Sequence, residues 1–389
     1  MARFPSVPDH ARSSPCASGD PVTVTVRLRS LDAFRGLTIA GMILVNNPGS
    51  WEHIYPPLEH AEWNGWTPTD LIFPFFLFIV GVSLTYSFAR RLERGDSRGA
   101  LVRKIAIRSL VIFVVGLALN FIPRFDPATV RIPGVLQRIA VAYFFAALIY
   151  IVTAPRTRAW VAAGLLVAYW LAMTLVPVPG YGAGVLEPVG NLAQYIDIHL
   201  LRGHTWKPEW DPEGILSTVP AIVTCLLGTF TGGLLRSELP PEGKAARLFV
   251  WGNLGVLAGA VWNAWFPINK NLWTSSYVLF TAGMALNFLG LLYWVIDVRG
   301  RSRWAWPLYV FGANALLVFV LSGLAARLLG LWTVADDGGR TSVWHYAYEH
   351  AFASWAGPLN GSLFCALAFV LIWLGVMAWF YRRGWFVRV

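Results

Sequence analysis

The chain has 389 residues, of which 56% are hydrophobic and only 13% charged, whereas a soluble domain carries about 45–50% apolar and about 25% charged residues. So little charge excludes an ordinary soluble protein, and a 15% aromatic share with 20 Trp suits a chain that meets lipid headgroups, where an indole buries its ring and hydrates its N–H. The net charge of +10 would suggest nucleic acid on a soluble chain; on a membrane chain it is the basic excess that fixes topology, and no nucleic-acid partner is expected.

Residues 1–28 mix Pro, Ser, Ala and Asp around no apolar core of the kind a signal peptide needs, so they are expected to form a disordered cytoplasmic tail. Residues 29–389 are expected to form a single transmembrane domain. Runs of about 17–25 largely apolar residues match a hydrocarbon core of about 30 Å. Ten such runs occur, at about 31–48, 70–89, 105–122, 134–153, 159–176, 215–235, 246–264, 273–297, 304–329 and 361–381. Lipid offers the backbone no hydrogen-bond partners, so these runs must be helices. The predicted fold class is an all-α polytopic membrane protein with about ten transmembrane helices.

The basic residues orient it. With the N-terminus cytoplasmic, 21 of the 31 Lys and Arg fall on the inner side, which predicts an N-in, C-in topology. The expected location is an integral, multi-pass position in a membrane, the inner (plasma) membrane if the source is bacterial. Three long connections, 49–69, 177–214 and 330–360, then lie outside and hold every histidine except His10. Cys16, Cys225 and Cys365 form no CxxC pair, so neither a disulfide framework nor a metal site is expected.

Chemistry-bearing residues concentrate over residues 27–83. Asp32 and Arg35 are three apart on one helix face, which reads as a local ion pair. Asn46 stands roughly 16 Å further along the axis, at the opposite face of the membrane. A substrate with an anionic head and a long thin arm, the shape of coenzyme A, could set its phosphates near Arg35, Arg103, Lys104 or Arg108 and its reactive end near Asn46. For the exposed basic residues the inner-side bias alone is the simpler account. Arg108 and Arg138 lie deeper, where an arginine is costly and marks a functional hypothesis.

His60 sits in EHAEWNGWTPTD, ten residues before Asp70 at the mouth of the second span. A histidine beside carboxylates takes a proton near neutral pH, and a solvated loop histidine is an equally good reading of the spacing. Asn46 either donates to a developing oxyanion or caps its helix. Asp211 and Glu213 open the sixth span, where carboxylates also suit a helix N-terminus. Lys270 is the only charge between Arg247 and Asp297.

The run SLDAFRGLTIAGMILVNNPG…HAEWNGWTPTDLIFPFFLFIVGVS resembles the catalytic core of the heparan-α-glucosaminide N-acetyltransferase family, as do RIPGVLQRIAVAYF, DPEGILSTVPAIV, FPINKNLWTSSYVL and FGANALLVF. The resemblance implies an acyltransferase that takes acetyl from cytoplasmic acetyl-CoA and places it on the amine of a glucosamine across the membrane. It implies that His60 matches the histidine held to be catalytic and Asn46 an asparagine of the same site. Asp70, Arg138, Asp211, Glu213 and Lys270 fall in shared motifs.

The expected assignment is His60, Asn46 and Asp70 as catalytic, with Arg35, Arg103, Lys104, Arg108 and Arg138 for acetyl-CoA. Trp63, Asn64, Asp211, Glu213 and Lys270 are assigned to an amino-sugar or glycan acceptor, and no metal is expected. The lysosomal enzymes carry a luminal domain and one further span ahead of the core, where here a short tail precedes Ser30. That suggests a shorter, bacterial-type member with a smaller acceptor such as glucosamine, a cell-wall amino sugar or a glycolipid; a homodimer is compatible. Two other classes remain open: a sugar or amino-sugar transporter with five-plus-five inverted repeats, and a non-catalytic sugar-binding membrane protein.

Overall fold

The structure is a computed structural model that describes residues 28–122, 125–336 and 339–387, without the side chain of Leu92. The tail expected over residues 1–28 lies outside the described residues except for Leu28. A backbone that must satisfy itself in lipid coils into helix, and each of the ten apolar runs is helical. In chain order the elements are α1 (Arg29–Asn46), α2 (Ile72–Glu93), α3 (Arg98–Phe121), α4 (Val135–Val152), α5 (Pro155–Leu175), a short α6 (Leu192–Leu200), α7 (Thr218–Leu235), α8 (Pro241–Trp262) and α9 (Ser275–Leu292). They continue with α10 (Trp306–Ala313), α11 (Ala315–Leu331), a hairpin of β1 (Thr333–Asp336) and β2 (Gly339–Ser342), α12 (Val343–Tyr348), α13 (Ser354–Ala356) and α14 (Pro358–Arg382).

This is an all-α polytopic membrane protein. Among the described residues seven helices are long and apolar enough to cross a membrane, and the α10–α11 pair makes an eighth if counted as one span. Helices α1 and α3, with three and four charged side chains, are not among the seven.

The run predicted as one span over 304–329 is bent by 71° at Asn314. Its side chain is buried and serves as a clamp: Nδ2 donates to the Trp385 carbonyl at 2.9 Å, and Oδ1 accepts from the Val387 N–H at 2.9 Å. Hydropathy carries no trace of such a clamp, because the residues on both sides of Asn314 are apolar. The connections also hold structure that the apolar runs did not announce. Asn191 caps α6 by accepting from the Gln194 N–H, and α6 and the hairpin are both too short to span lipid.

Helices α2, α7 and α9 form the centre. Leu77, Phe78, Val82, Leu226, Tyr277 and Val278 are fully sequestered there. Gly81 and Gly228 let α2 and α7 touch at the backbone: a Cβ on Gly81 would lie 1.9 Å from the Cys225 carbonyl oxygen. Gly81→Leu is therefore expected to force the pair apart, lowering stability by ~1–3 kcal/mol. Thermal unfolding in detergent reads this directly.

One end of the bundle collects the loops after α1, α3, α5, α8 and α11 into a polar cap. The cap is stitched together by Gly65 N–H to the Ile268 carbonyl (2.7 Å), Ile132 N–H to the His204 carbonyl (2.9 Å), Trp63 Nε1–H to the Leu186 carbonyl (2.8 Å) and Trp344 Nε1–H to the Pro48 carbonyl (3.0 Å). The opposite end carries the basic connections. There the Arg29 and Ser30 N–H groups donate to Asp297.

Candidate active site

The cap is organised by Asp70. Thr67 and Asp70 form a reciprocal capping box at the turn Pro68–Leu71, just ahead of α2. Asp70 is 1% exposed, and its Oδ2 accepts from the N–H groups of Ala61 and Thr67, each at 3.0 Å. Its Oδ1 meets His60 Nδ1 at 2.6 Å. Tyr277 Oη, from the first turn of α9, donates to the Asp70 carbonyl at 2.5 Å. One carboxylate thus fixes the loop and aims the imidazole. Because that carboxylate accepts from Nδ1–H, the lone pair lies on Nε2.

His60 is half exposed on the loop and its partner is sequestered. Lys270, from the connection between α8 and α9, brings Nζ within 3.0 Å of His60 Nδ1, 3.1 Å of Nε2 and 3.7 Å of Asp70 Oδ1. Burial pulls the Lys270 pKa below its ordinary value, against the opposing fields of Asp70 and Glu213. Lys270 is held by a tight turn in which the buried Asn269 accepts from the Leu272 N–H at 2.8 Å and donates to Asn64 Oδ1 at 3.2 Å.

A second polar group stands behind the first. Arg131 forks onto Asp211 at 2.8 and 2.6 Å and also pairs with Glu213. Burial works against that guanidinium, yet Glu213 and Asp211 together raise its pKa above the usual value. Asp211 further accepts from the Trp206 N–H at 2.8 Å. Arg138 is fully buried in the first turn of α4, donates to the Gly214 carbonyl and to Ser217, and stacks 5.0 Å from the Trp273 ring.

Asp197 of α6 accepts from the Ile215 N–H at 2.8 Å, and burial, with Asp211 adding to it, raises its pKa to about 7. Only glycine fits at 214, where a Cβ would lie 1.7 Å from Asp197 Oδ2. A carboxyl raised above its unfolded value contributes stability that is complete below the unfolded pKa and is lost as pH rises through about 7. Asp197→Asn keeps the acceptor and removes the titration. Wild type is expected to lose roughly 2–5 °C more than Asp197→Asn in melting temperature between about pH 5 and about pH 8.

Asn46 does not join His60. It is exposed at the end of α1 and lines a separate cavity of about 580 Å³ between α1, α3, α4 and α11. The five arginines and lysines expected around acetyl-CoA are divided. Arg35 is engaged by Asp32 at 3.1 Å and Ser83 at 2.7 Å, Lys104 by Asp96 at 2.9 Å, and Arg103 is exposed. Arg108 is exposed with its guanidinium 5.1 Å from the Tyr143 ring. Arg138 belongs to the cap end, since α4 starts there. Trp63 packs edge-on to Trp210 at 5.4 Å.

Residues 27–247 match the family model for heparan-alpha-glucosaminide N-acetyltransferase, catalytic. The chain belongs to this family. It is 35% identical to the human heparan-alpha-glucosaminide N-acetyltransferase over 351 residues, covering 76% of this chain and 52% of that protein. It is 33% identical to the mouse enzyme of the same name over 370 residues, covering 80% of this chain and 56% of the other. The chain therefore spans about half the length of the curated relatives it matches. A shorter stretch of 128 residues is 38% identical to heme A synthase of Dinoroseobacter shibae, covering 29% of this chain and 31% of that one.

The stretch matched to the acetyltransferase family model contains His60, Asp70, Arg131, Asp211 and Glu213, while Lys270 lies beyond it. Arg131, Asp197, Asn269 and Tyr277 carry no role in the sequence reading although they hold the cap together. Two signals were on hand: Arg131 opens the quoted run RIPGVLQR, and Asn269 adjoins Lys270 in FPINKN.

Proposed function

We propose that the protein is a transmembrane N-acetyltransferase that moves acetyl from acetyl-CoA, supplied at the basic end, to the amine of a glucosamine-type sugar at the cap end. Family membership supports the reaction class, and the observation that carries the reading is the 2.6 Å contact of His60 Nδ1 with a sequestered Asp70. On this reading the basic end is cytoplasmic and α1 and α3 cross the membrane with the other helices. Arg35, Arg103, Lys104 and Arg108 are the cations available to the donor's phosphates.

His60 Nε2 takes a proton from the acceptor ammonium, and the freed amine attacks the thioester carbonyl. Lys270 is placed to stabilise the oxyanion that forms. Collapse of the tetrahedral adduct breaks the C–S bond and releases the thiol, which regains a proton. A route through an acetyl-His60 intermediate uses the same residues.

The test places acetyl-CoA on one side of sealed vesicles and amino sugars on the other. Acetylated sugar is expected only when donor and acceptor face opposite ends of the bundle. Product formed only with both on the same side would overturn the transmembrane reading. Radiolabelled acetyl that stays on the protein without acceptor, and is lost in His60→Ala, would select the covalent route.

A further inference from the structure

Lys270 has a contact that the reaction above uses only for its charge. Its side chain is 16% exposed, and Nζ stands 3.0 Å from His60 Nδ1 and 3.1 Å from Nε2. Because Nδ1 is spent on Asp70 Oδ1 at 2.6 Å, the lone pair left for the ammonium to meet is that of Nε2. The base that would take a proton from an acceptor therefore stands within one proton transfer of a lysine of the same chain.

The surroundings favour that transfer. Burial and the Arg138 guanidinium of α4 work against the ammonium, while Asp70 of the cap loop and Glu213 before α7 oppose them. Once the proton has moved, the amine is a nucleophile. The chain has four lysines in all. Lys104 is exposed and paired with Asp96 at 2.9 Å, Lys207 is exposed over the Trp206 ring at 4.9 Å, and Lys244 sits in the first turn of α8. Among the described residues Lys270 alone has an imidazole within hydrogen-bond distance of Nζ.

We propose that Lys270 is a self-acetylation site: when no acceptor amine is present, its Nζ takes the acetyl group of the donor thioester. His60 Nε2 removes a proton from the ammonium, the freed amine attacks the thioester carbonyl, and the C–N bond forms as the C–S bond breaks. The departing thiolate takes one of the two protons left on nitrogen, the other stays on the amide, and the proton held by His60 passes to solvent. The amide is neutral, so it no longer balances Asp70 or stabilises an oxyanion, and transfer to the sugar stops. The proposal rests on the transferase reading, which brings the thioester carbonyl to His60, and it deepens that reading by giving the site an off state set by donor without acceptor.

Purified full-length protein is incubated with acetyl-CoA, with and without glucosamine, and acetyl groups on the chain are located by peptide mass spectrometry. Lys270 is expected to gain acetyl about tenfold or more faster than Lys207, the exposed lysine of the same end, and saturating glucosamine is expected to slow it. Neutral hydroxylamine cleaves an acetyl-imidazole and spares an amide, so the Lys270 adduct is expected to survive a wash that strips any acetyl from His60. In His60→Ala the Lys270 rate is expected to drop to that of Lys207, and in wild type sugar acetylation after preincubation is expected to fall in step with the acetylated fraction of Lys270. Acetylated sugar with no acetyl on Lys270, a Lys270 rate no higher than that of Lys207, or a rate that survives His60→Ala overturns the proposal and leaves the transferase standing. Acetyl on Lys270 without any acetylated sugar keeps the modification and removes the glucosamine reading. Acetyl on neither removes both.

Discussion

Replacing His60 with Ala is expected to lower acetyl transfer by roughly 10²–10⁴-fold, the usual contribution of a positioned general base, with little change in thermal stability. The asymmetry follows from how Asp70 is used. Its Oδ2 keeps the bonds to Ala61 and Thr67 that hold the loop, and only the Oδ1 contact to the imidazole is lost. Because His60 is half exposed, added imidazole can reach the vacated position and should restore part of the rate. Asp70→Asn should behave otherwise. With its oxygen kept on the two backbone donors, the amide turns its NH2 onto His60 Nδ1, which must then accept, so the Nε2 base is lost. Stability falls as well, because the charge-assisted bonds to the loop become neutral ones. Steady-state kinetics and melting curves on both variants separate the roles: an equal loss of stability in His60→Ala would make His60 a structural residue.

The second large effect is expected at Arg131. Arg131→Met leaves Asp211 and Glu213 facing each other without a cation, and breaking a buried pair in this way costs about 3–5 kcal/mol. Neither carboxylate can then ionise freely in the fold, so their folded-state pKa values rise above the unfolded ones. The sign is fixed by that rise: stability of the variant is greatest below the unfolded carboxylate pKa and is lost as pH climbs through the raised value. Combining Arg131→Met with Asp211→Asn and Glu213→Gln should recover most of the stability, because the uncompensated charge has been removed. Melting temperatures of the three proteins at about pH 5 and about pH 8 read the effect.

Sequence reading and structure agree where physics acts locally. Lipid forces each apolar run into a helix, and a histidine ten residues before a carboxylate at the mouth of a span can fold back onto it, as His60 does onto Asp70. The Asp32–Arg35 pair, three apart on one face, is equally local. What escapes a linear reading is which loops meet. Lys270 is 210 residues from His60, and Arg131 is 80 from Asp211. Position suggested a helix-start role for Asp211 and Glu213, yet their partner is a guanidinium on another connection. Depth in an apolar run places Arg138 with the cations expected around the donor, and only the start of α4 shows that it belongs to the cap.

The Asn314 clamp has a practical consequence for anyone who labels this protein. Residues 385–387 are seated against the bend between α10 and α11, with both faces of the Asn314 amide engaged. A reporter joined directly after Val387 would pull on that seat, and a cut before Trp385 would strand the amide in an apolar interior. Fluorescent or enzymatic topology tags at this end therefore need a flexible spacer, and an untagged control should establish that α10 still rests on α1.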